Sequence, residues 1–240
     1  MTAPHFFVES LHEGSLALSA PDSRHALRSL RLRPGEEVTL ADGRGGVGRG
    51  RVRGEEEGLA VMEVDTVSRV ERRVPAISVA MSAPKGERLS WAVQKLAELG
   101  VDELALVDTE RSVRGWDSVR SEGALARLRA VAREAAMQSR RPFVMEVGAA
   151  GAMRDNLSVP GSDVVVLWEG ATAPLGGALR EQATTIRLLV GPEGGFSIAE
   201  VDAAREAGAA LVSLGSGVLR TETAAMVGAA LVLARYGRLG

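Results

Sequence analysis

From residue 76 to the end of the chain, short apolar runs alternate with stretches of helical periodicity, and this alternation restricts the fold more than any other feature. Residues 76–81 (Ala-Ile-Ser-Val-Ala-Met) suit a strand buried on both faces. Residues 87–99 then place Leu89, Ala92, Val93, Leu96 and Ala97 at helical spacing, with Gly100 as the stop. Strand runs recur at residues 103–107, 164–168, 186–190 and 210–214. Helical patterns cover residues 124–138 and 223–236. A further helix starts at Ser197, where Ser197 and Glu200 form a capping box, and ends near Gly208. Such βα units predict an α/β domain with a mainly parallel sheet covered by helices.

The first 70 residues read differently. Residues 37–41 alternate polar and apolar side chains, Asp42-Gly43 signals a turn, and residues 59–64 repeat the strand pattern. This predicts a small β-barrel. Residues 68–75 are charged and end in proline, as a linker would. The expected domains are therefore 1–72 and 73–240.

Composition excludes several chemistries. There are no cysteines, so no thiolate metal site or cysteine nucleophile exists. The three histidines, His5, His12 and His25, all precede residue 26, which leaves the rest of the chain without a histidine metal cluster or a Ser-His-Asp triad. No metal is expected. Formal net charge is −2, so nucleic-acid contact must come from local patches. Arg24, Arg28, Arg31 and Arg33 cluster beside His25. Arg49, Arg51 and Arg53 alternate along one strand face, and Arg140 and Arg141 extend a basic surface on the second domain. No apolar run approaches the roughly 20 residues that span a bilayer, and the start carries no basic residue ahead of an apolar stretch. A soluble cytoplasmic protein with no membrane association is expected.

Three glycine-rich segments could carry chemistry. Residues 43–48 spell G-x-G-x-x-G, but they lead into Arg51-Val52-Arg53 and not into a helix. A hairpin loop fits better than a dinucleotide site. Residues 190–197 (Val-Gly-Pro-Glu-Gly-Gly-Phe-Ser) follow the strongest apolar run and enter the capped helix, at the strand end where α/β sheets bind ligands. A plain strand-to-helix turn is the alternative. Residues 214–224 (Leu-Gly-Ser-Gly-Val-Leu-Arg-Thr-Glu-Thr-Ala) again join a strand to a helix and pack Arg220, Thr221, Glu222 and Thr223 into the turn. Thr221 as a helix cap would account for part of this.

Residues 191–197 with Glu200, followed by Leu214-Gly215 and Leu219-Arg220-Thr221-Glu222-Thr223-Ala224, closely resemble the RsmE family, enzymes that methylate N3 of a uridine in 16S ribosomal RNA. Lys95, Glu98-Leu99-Gly100-Val101, Glu110-Arg111-Ser112 and Gln138-Ser139-Arg140-Arg141-Pro142 are similar to that family's middle signatures. His25, Leu27-Arg28, Leu30-Arg31 and Gly35 are similar to its N-terminal arm. The ordered set spans most of the chain.

The resemblance implies a PUA-like RNA-binding β-barrel over 1–72 and a SPOUT methyltransferase domain over 73–240 whose chain threads a trefoil knot. Sequence periodicity alone would have argued against a threaded loop. It implies S-adenosyl-L-methionine as cofactor, 16S rRNA or the small ribosomal subunit as partner, and a homodimer. The cofactor pocket is expected from Leu167, Trp168, Glu169, Val190, Gly191, Glu193, Gly194, Gly195, Leu214, Gly215, Val218, Leu219, Arg220, Thr221, Thr223 and Ala224. Arg220 is expected to orient the base or stabilise charge on its carbonyl oxygens, with Glu222 and Glu193 handling the proton or holding Arg220. RNA contacts are expected from Arg24, His25, Arg28, Arg31, Arg33 and Arg140. Other readings are another SPOUT RNA methyltransferase, acting on a ribose 2′-hydroxyl or a different base, and a non-catalytic ribosome-assembly factor.

Overall fold

The computed structural model describes residues 3–112, 121–158 and 160–239 of the 240. Its contacts divide the chain into two units, Met1–Arg72 with Ala136–Val144, and Arg73–Ala135 with Met145–Gly240. Residues 136–144, placed in the second domain from sequence, thus pack with the first unit, and Arg140 and Arg141 go with them.

The first unit holds a five-stranded sheet in the order β1-β3-β4-β5-β2. The strands are β1 (His5–Phe7), β2 (Gly14–Ala17), β3 (Glu37–Ala41), β4 (Gly46–Glu56) and β5 (Leu59–Arg69). β1 pairs parallel with β3, and the other pairings are antiparallel. The G-x-G-x-x-G letters fall in the β3–β4 hairpin. There Asp42 Oδ1 accepts from the backbone N–H of Arg44 (2.7 Å) and Gly46 (2.9 Å), an Asx turn. Gly45 has φ 103°, and a Cβ there would lie 2.6 Å from the Val70 carbonyl oxygen, so only glycine fits. The β4–β5 turn puts both central residues at positive φ, Glu57 at 50° and Gly58 at 80°, as a type I′ hairpin needs. Between β2 and β3 lies helix α1 (Ala20–Arg24), followed by a wider π-type turn over His25–Ser29. Phe6, Leu18, Leu40, Val52 and Met62 fill the core.

The second unit is a six-stranded sheet in the order β11-β9-β10-β6-β7-β8, parallel at every pairing. Its strands are β6 (Ala76–Met81), β7 (Glu103–Asp108), β8 (Glu146–Ala152), β9 (Ser162–Leu167), β10 (Thr185–Val190) and β11 (Ala210–Val212). Its described helices are α2 (Arg88–Leu99), α3 (Glu122–Gln138), α4 (Ile198–Glu206) and α5 (Thr221–Arg235). Alternate residues of β10 enter different cores. Ile186, Leu188 and Val190 join Val93 and Leu96 of α2 and Ala229 and Val232 of α5. Leu189 joins Val201 and Ala204 of α4. Burial on both faces is why these strands read as continuous apolar runs. One polar break interrupts them: Arg187 donates to Asn156 Oδ1 (2.7 Å) and Glu103 Oε2 (2.8 Å), and Ser78 Oγ also donates to Glu103 Oε2 (2.6 Å).

After α5, Arg238 ties the C-terminal segment to the start of the sheet. It donates to Asp102 Oδ2 (2.8 Å) and to the carbonyls of Pro75 (2.5 Å) and Gly100 (3.1 Å). Both side chains of the ion pair are about nine-tenths buried. Arg238→Ala leaves a buried carboxylate without its cation and is expected to cost about 3–5 kcal/mol, read as a lower denaturant midpoint at unchanged slope.

His5 supplies a pH dependence. Its Nδ1 lies 2.9 Å from Thr39 Oγ1, and burial lowers its pKa from the ordinary 6.5. The facing Arg141 backbone opposes that shift, and the Arg140 charge adds to it. Above 6.5 the ring is neutral folded or unfolded, and stability does not change. Below 6.5 the unfolded chain takes a proton that the folded chain refuses, so stability falls as pH falls. Urea unfolding of the full chain between pH 7.5 and pH 5.5 (about one unit either side of that value) should show this component, and His5→Asn should lose it.

Candidate active site

Because all six strands run the same way, the loops after β6, β7, β9, β10 and β11 leave one edge of the sheet. After β10, residues 191–197 turn into α4. Gly195 has φ 68°, and a Cβ there would stand 2.7 Å from Glu169 Oε1. The positive φ favours glycine there, and a Cβ would push the Glu169 carboxylate aside. A Cβ at Gly191 would lie 3.2 Å from the Phe196 ring. The capping box closes as expected: Ser197 Oγ accepts from Glu200 N (3.1 Å), and Glu200 Oε2 accepts from Ser197 N (2.8 Å).

Glu200 does more than cap. It is only 3% exposed, and its other oxygen accepts from Glu110 N at 2.9 Å, fixing the loop after β7. From that loop Arg111 Nη1 donates to the Gly194 carbonyl at 2.8 Å. From the loop after β6, Ser82 N donates to the Val190 carbonyl at 3.0 Å. The glycine loop is thus held from the β6 and β7 side by one backbone N–H, by the Arg111 side chain and, through Glu200, by the Glu110 N–H.

The third loop meets the second through Thr221. Its hydroxyl donates to the Gly191 carbonyl at 2.9 Å. Thr221 is the first residue of α5, not its cap; Arg220 holds the cap position in extended backbone (φ −65°, ψ 154°) with no side-chain cap bond. Gly228, two turns into α5, lets the helix approach β9, since a Cβ there would lie 2.8 Å from Leu167 Cδ1.

These loops line one open cleft. Its wall includes Leu167, Trp168, Glu169, Val190, Gly191, Gly195, Leu214, Gly215, Val218, Leu219, Thr221 and Ala224, all named from sequence. Pro192, Phe196 and Gly217, which fall in the glycine-rich segments read from sequence without being named as pocket residues, also line it, as does Ser213 just outside them. Phe196 sits in the glycine loop as its single aromatic, a signal that could have been read. Glu193, Gly194, Arg220, Glu222 and Thr223 stand outside the lining. Arg220 and Glu193 are exposed, whereas Glu222 is 6% exposed. Arg88, at the start of α2, reaches both acids: Nη1 is 3.6 Å from Glu193 Oε1 and Nε is 3.8 Å from Glu222 Oε1. No periodicity or motif had marked Arg88.

The expected RNA-contact residues lie on the first unit. Arg24, His25, Arg28, Arg31, Arg33 and Arg140 are all exposed there. Arg49, Arg51 and Arg53 do share one exposed face of β4, but Arg51 pairs with Asp65 (3.0 Å) and Arg53 with Glu56 (3.7 Å). Among the described residues no group of His, Asp and Glu is arranged to hold a metal ion, and no helix is long and apolar enough to cross a membrane.

The profile of the RNA methyltransferase domain family matches residues 71–233, and that of the RNA methyltransferase PUA domain matches residues 18–64. The chain is 36% identical over 238 residues to the ribosomal RNA small subunit methyltransferase E of Mycobacterium bovis, covering 95% of this chain and 90% of that one. It is 25% identical over 220 residues to the Bacillus subtilis protein of the same name, covering 88% and 86%. Among solved structures, the ribosomal RNA small subunit methyltransferase E of Neisseria gonorrhoeae bound to S-adenosyl methionine superposes with a TM-score of 0.87 at 31% identity over 98% of both chains.

Glu200→Gln is expected to destabilise the chain by about 1–3 kcal/mol, because an amide can accept with one oxygen only and leaves one of the two buried N–H donors facing an NH2 group. Thermal unfolding of the full chain measures it.

Proposed function

The chain belongs to the RNA methyltransferase family of the small-subunit ribosomal RNA methyltransferases E, and from that premise we propose that it transfers a methyl group from S-adenosylmethionine to N3 of a uridine in 16S ribosomal RNA. The observation that carries this reading is the meeting of three strand-end loops, 167–169, 190–196 and 213–224, around one cleft.

The cleft fits the cofactor. Val190, Leu214, Val218 and Leu219 offer an apolar slot for adenine, and the glycine loops bring backbone donors and acceptors close to a ligand. The relative from Neisseria gonorrhoeae, solved bound to S-adenosyl methionine, supports the same assignment. When bound, the cofactor supplies a methyl group on a positively charged sulfur. The protein's task is to align the base and help the imide lose its proton. Arg220 stands between the wall residues Leu219 and Thr221 with its side chain exposed. We assign it to the base carbonyl oxygens, where negative charge grows as the proton leaves. Glu222 and Glu193, joined through Arg88, are the acids assigned to the proton.

The remaining parts of the reading concern architecture and partners. The first unit acts as a PUA-like barrel that takes RNA phosphates on Arg24, His25, Arg28, Arg31, Arg33 and Arg140, consistent with the PUA profile match and the exposure of all six. The second unit is a SPOUT domain over the remainder of the chain, with a trefoil knot in its last part. Exposed apolar side chains of the second unit, Val218 at 85%, Leu231 at 49% and Trp91 at 42%, favour a homodimer that covers them. A cytoplasmic location follows from ribosomal RNA as substrate.

Tritiated methyl transfer to free 16S rRNA and to assembled small subunits lacking the mark, followed by nucleoside analysis, tests the activity. N3-methyluridine is expected; a 2′-O-methylated nucleoside, or no transfer, would overturn the reading. Arg220→Ala should lower kcat by about 10²-fold while the cofactor Kd by calorimetry stays within about threefold of wild type.

A further inference from the structure

Among the described residues that line the cleft, Glu169 is the one that carries a charge. Its side chain is exposed and makes no hydrogen bond or ion pair with any described residue. The carboxylate lies against the glycine loop, with Oε1 2.7 Å from where a Cβ of Gly195 would stand. The other acids near the cleft do not share this place. Glu193 stands outside the lining, 3.6 Å from Arg88, and Glu222 is buried. The sheet sets where Glu169 stands relative to the apolar slot. Leu167 of β9 pairs with Val190 of β10 on one side and with Val212 of β11 on the other. One residue on, the Trp168 N–H still donates to the Val212 carbonyl at 2.9 Å. The β9 loop therefore leaves the sheet between the two segments that supply Val190 and Leu214 to the slot, and Glu169 follows two residues after Leu167.

We propose that Glu169 holds the ribose of the cofactor, accepting hydrogen bonds from its 2′- and 3′-hydroxyls. The inference rests on the S-adenosylmethionine reading above. Ribose is bonded directly to adenine, so its hydroxyls come within reach of groups that flank the adenine slot. The sulfur and the methionine tail lie further along the molecule. A vicinal diol offers two donors side by side, and a carboxylate offers two acceptor oxygens and no donor. Hydrogen bonds to an ionised acceptor are about twice as strong as those between neutral groups. The apolar slot and the loop backbones serve adenine, which leaves the diol to the acid. A nucleoside without these hydroxyls would strip water from the carboxylate and give it no donor in return, so the same residue rejects deoxynucleosides. Ribose hydroxyls gain no charge as the methyl group moves. Glu169 therefore binds the ground state and the transition state alike, and its contribution is to affinity.

Calorimetry on the full chain tests the proposal with three ligands: S-adenosylmethionine, S-adenosylhomocysteine and the 2′,3′-dideoxy analogue of S-adenosylhomocysteine. Wild type, Glu169→Ala and Glu169→Gln are compared, with thermal unfolding of each free protein as the check on folding. Wild type should bind the dideoxy analogue at least about tenfold more weakly than S-adenosylhomocysteine. Glu169→Ala should weaken S-adenosylhomocysteine by about 10–100-fold and the dideoxy analogue by less than about threefold, a coupling between the side chain and the two hydroxyls. Glu169→Gln keeps one acceptor oxygen without the charge and should fall between wild type and Glu169→Ala. In methyl transfer, Glu169→Ala should raise the cofactor KM and leave kcat within about threefold of wild type. Equal weakening of S-adenosylhomocysteine and its dideoxy analogue, or of neither, overturns the proposal. So does a loss confined to S-adenosylmethionine, which would give the carboxylate to the positive sulfur, or a wild type that binds the dideoxy analogue as well as S-adenosylhomocysteine. If Glu169→Ala does not fold, the same comparison with Glu169→Gln decides. Should wild type bind neither S-adenosylmethionine nor S-adenosylhomocysteine, the cofactor reading itself falls; if it binds both and the variants show no coupling, only the role of Glu169 falls.

Discussion

Glu200 is the contact on which the cleft depends. A strand-to-helix loop of Gly-Pro-Glu-Gly-Gly has little side-chain packing of its own, and its backbone would wander without an anchor. One buried carboxylate supplies it, accepting from Ser197 within the loop and from Glu110 on the neighbouring loop. Arg111 and Thr221 then hold the carbonyls of Gly194 and Gly191 from opposite flanks. The shape of the cleft is therefore set mostly by backbone atoms pinned from outside, which suits recognition of a nucleoside through backbone hydrogen bonds.

The buried ionic groups of the second unit fall into two classes. Glu200 and the Arg238–Asp102 pair are matched by partners at hydrogen-bond distance and serve the fold. Glu222 is not, since one oxygen is distant from its cation and the other is unpaired. Local dissatisfaction of this kind is retained where function compensates for it. The first unit carries its own strained positions. Arg31 and Arg140 adopt left-handed backbone, φ 55° and 56°, which costs a side-chain-bearing residue about 1–3 kcal/mol. Both belong to the exposed basic group assigned to RNA.

Much of the fold was legible because its signals are local. The βα alternation, the Ser197–Glu200 capping box, the Gly100 stop and the hairpin nature of residues 43–48 each depend on a few consecutive residues. The parallel sheet followed from them. Less was legible where a side chain acts far along the chain. Thr221 read as a possible cap but bonds a carbonyl 30 residues away, and Glu200 read as a cap yet also holds a residue 90 positions earlier. Residues 136–144 follow a helical pattern that ends at 138 and were placed in the second domain, yet they pack on the first unit. The reason is that Val144 and Phe143 find apolar and backbone partners around Gly43 and Gly45, which no local pattern encodes.

The sequence by itself determined which segments are strands and helices, which glycine-rich turns could approach a ligand, and which family's motifs the chain carries. Those properties rest on propensity, periodicity and short-range capping, all of which act within a few residues. Only the tertiary structure decided that Arg88 stands between Glu193 and Glu222, that Glu222 keeps an oxygen unpaired, and that the basic residues around 140 join those around 28 on one unit. Charge pairing and burial depend on distance in space, and a parallel sheet brings together loops separated by a hundred residues or more.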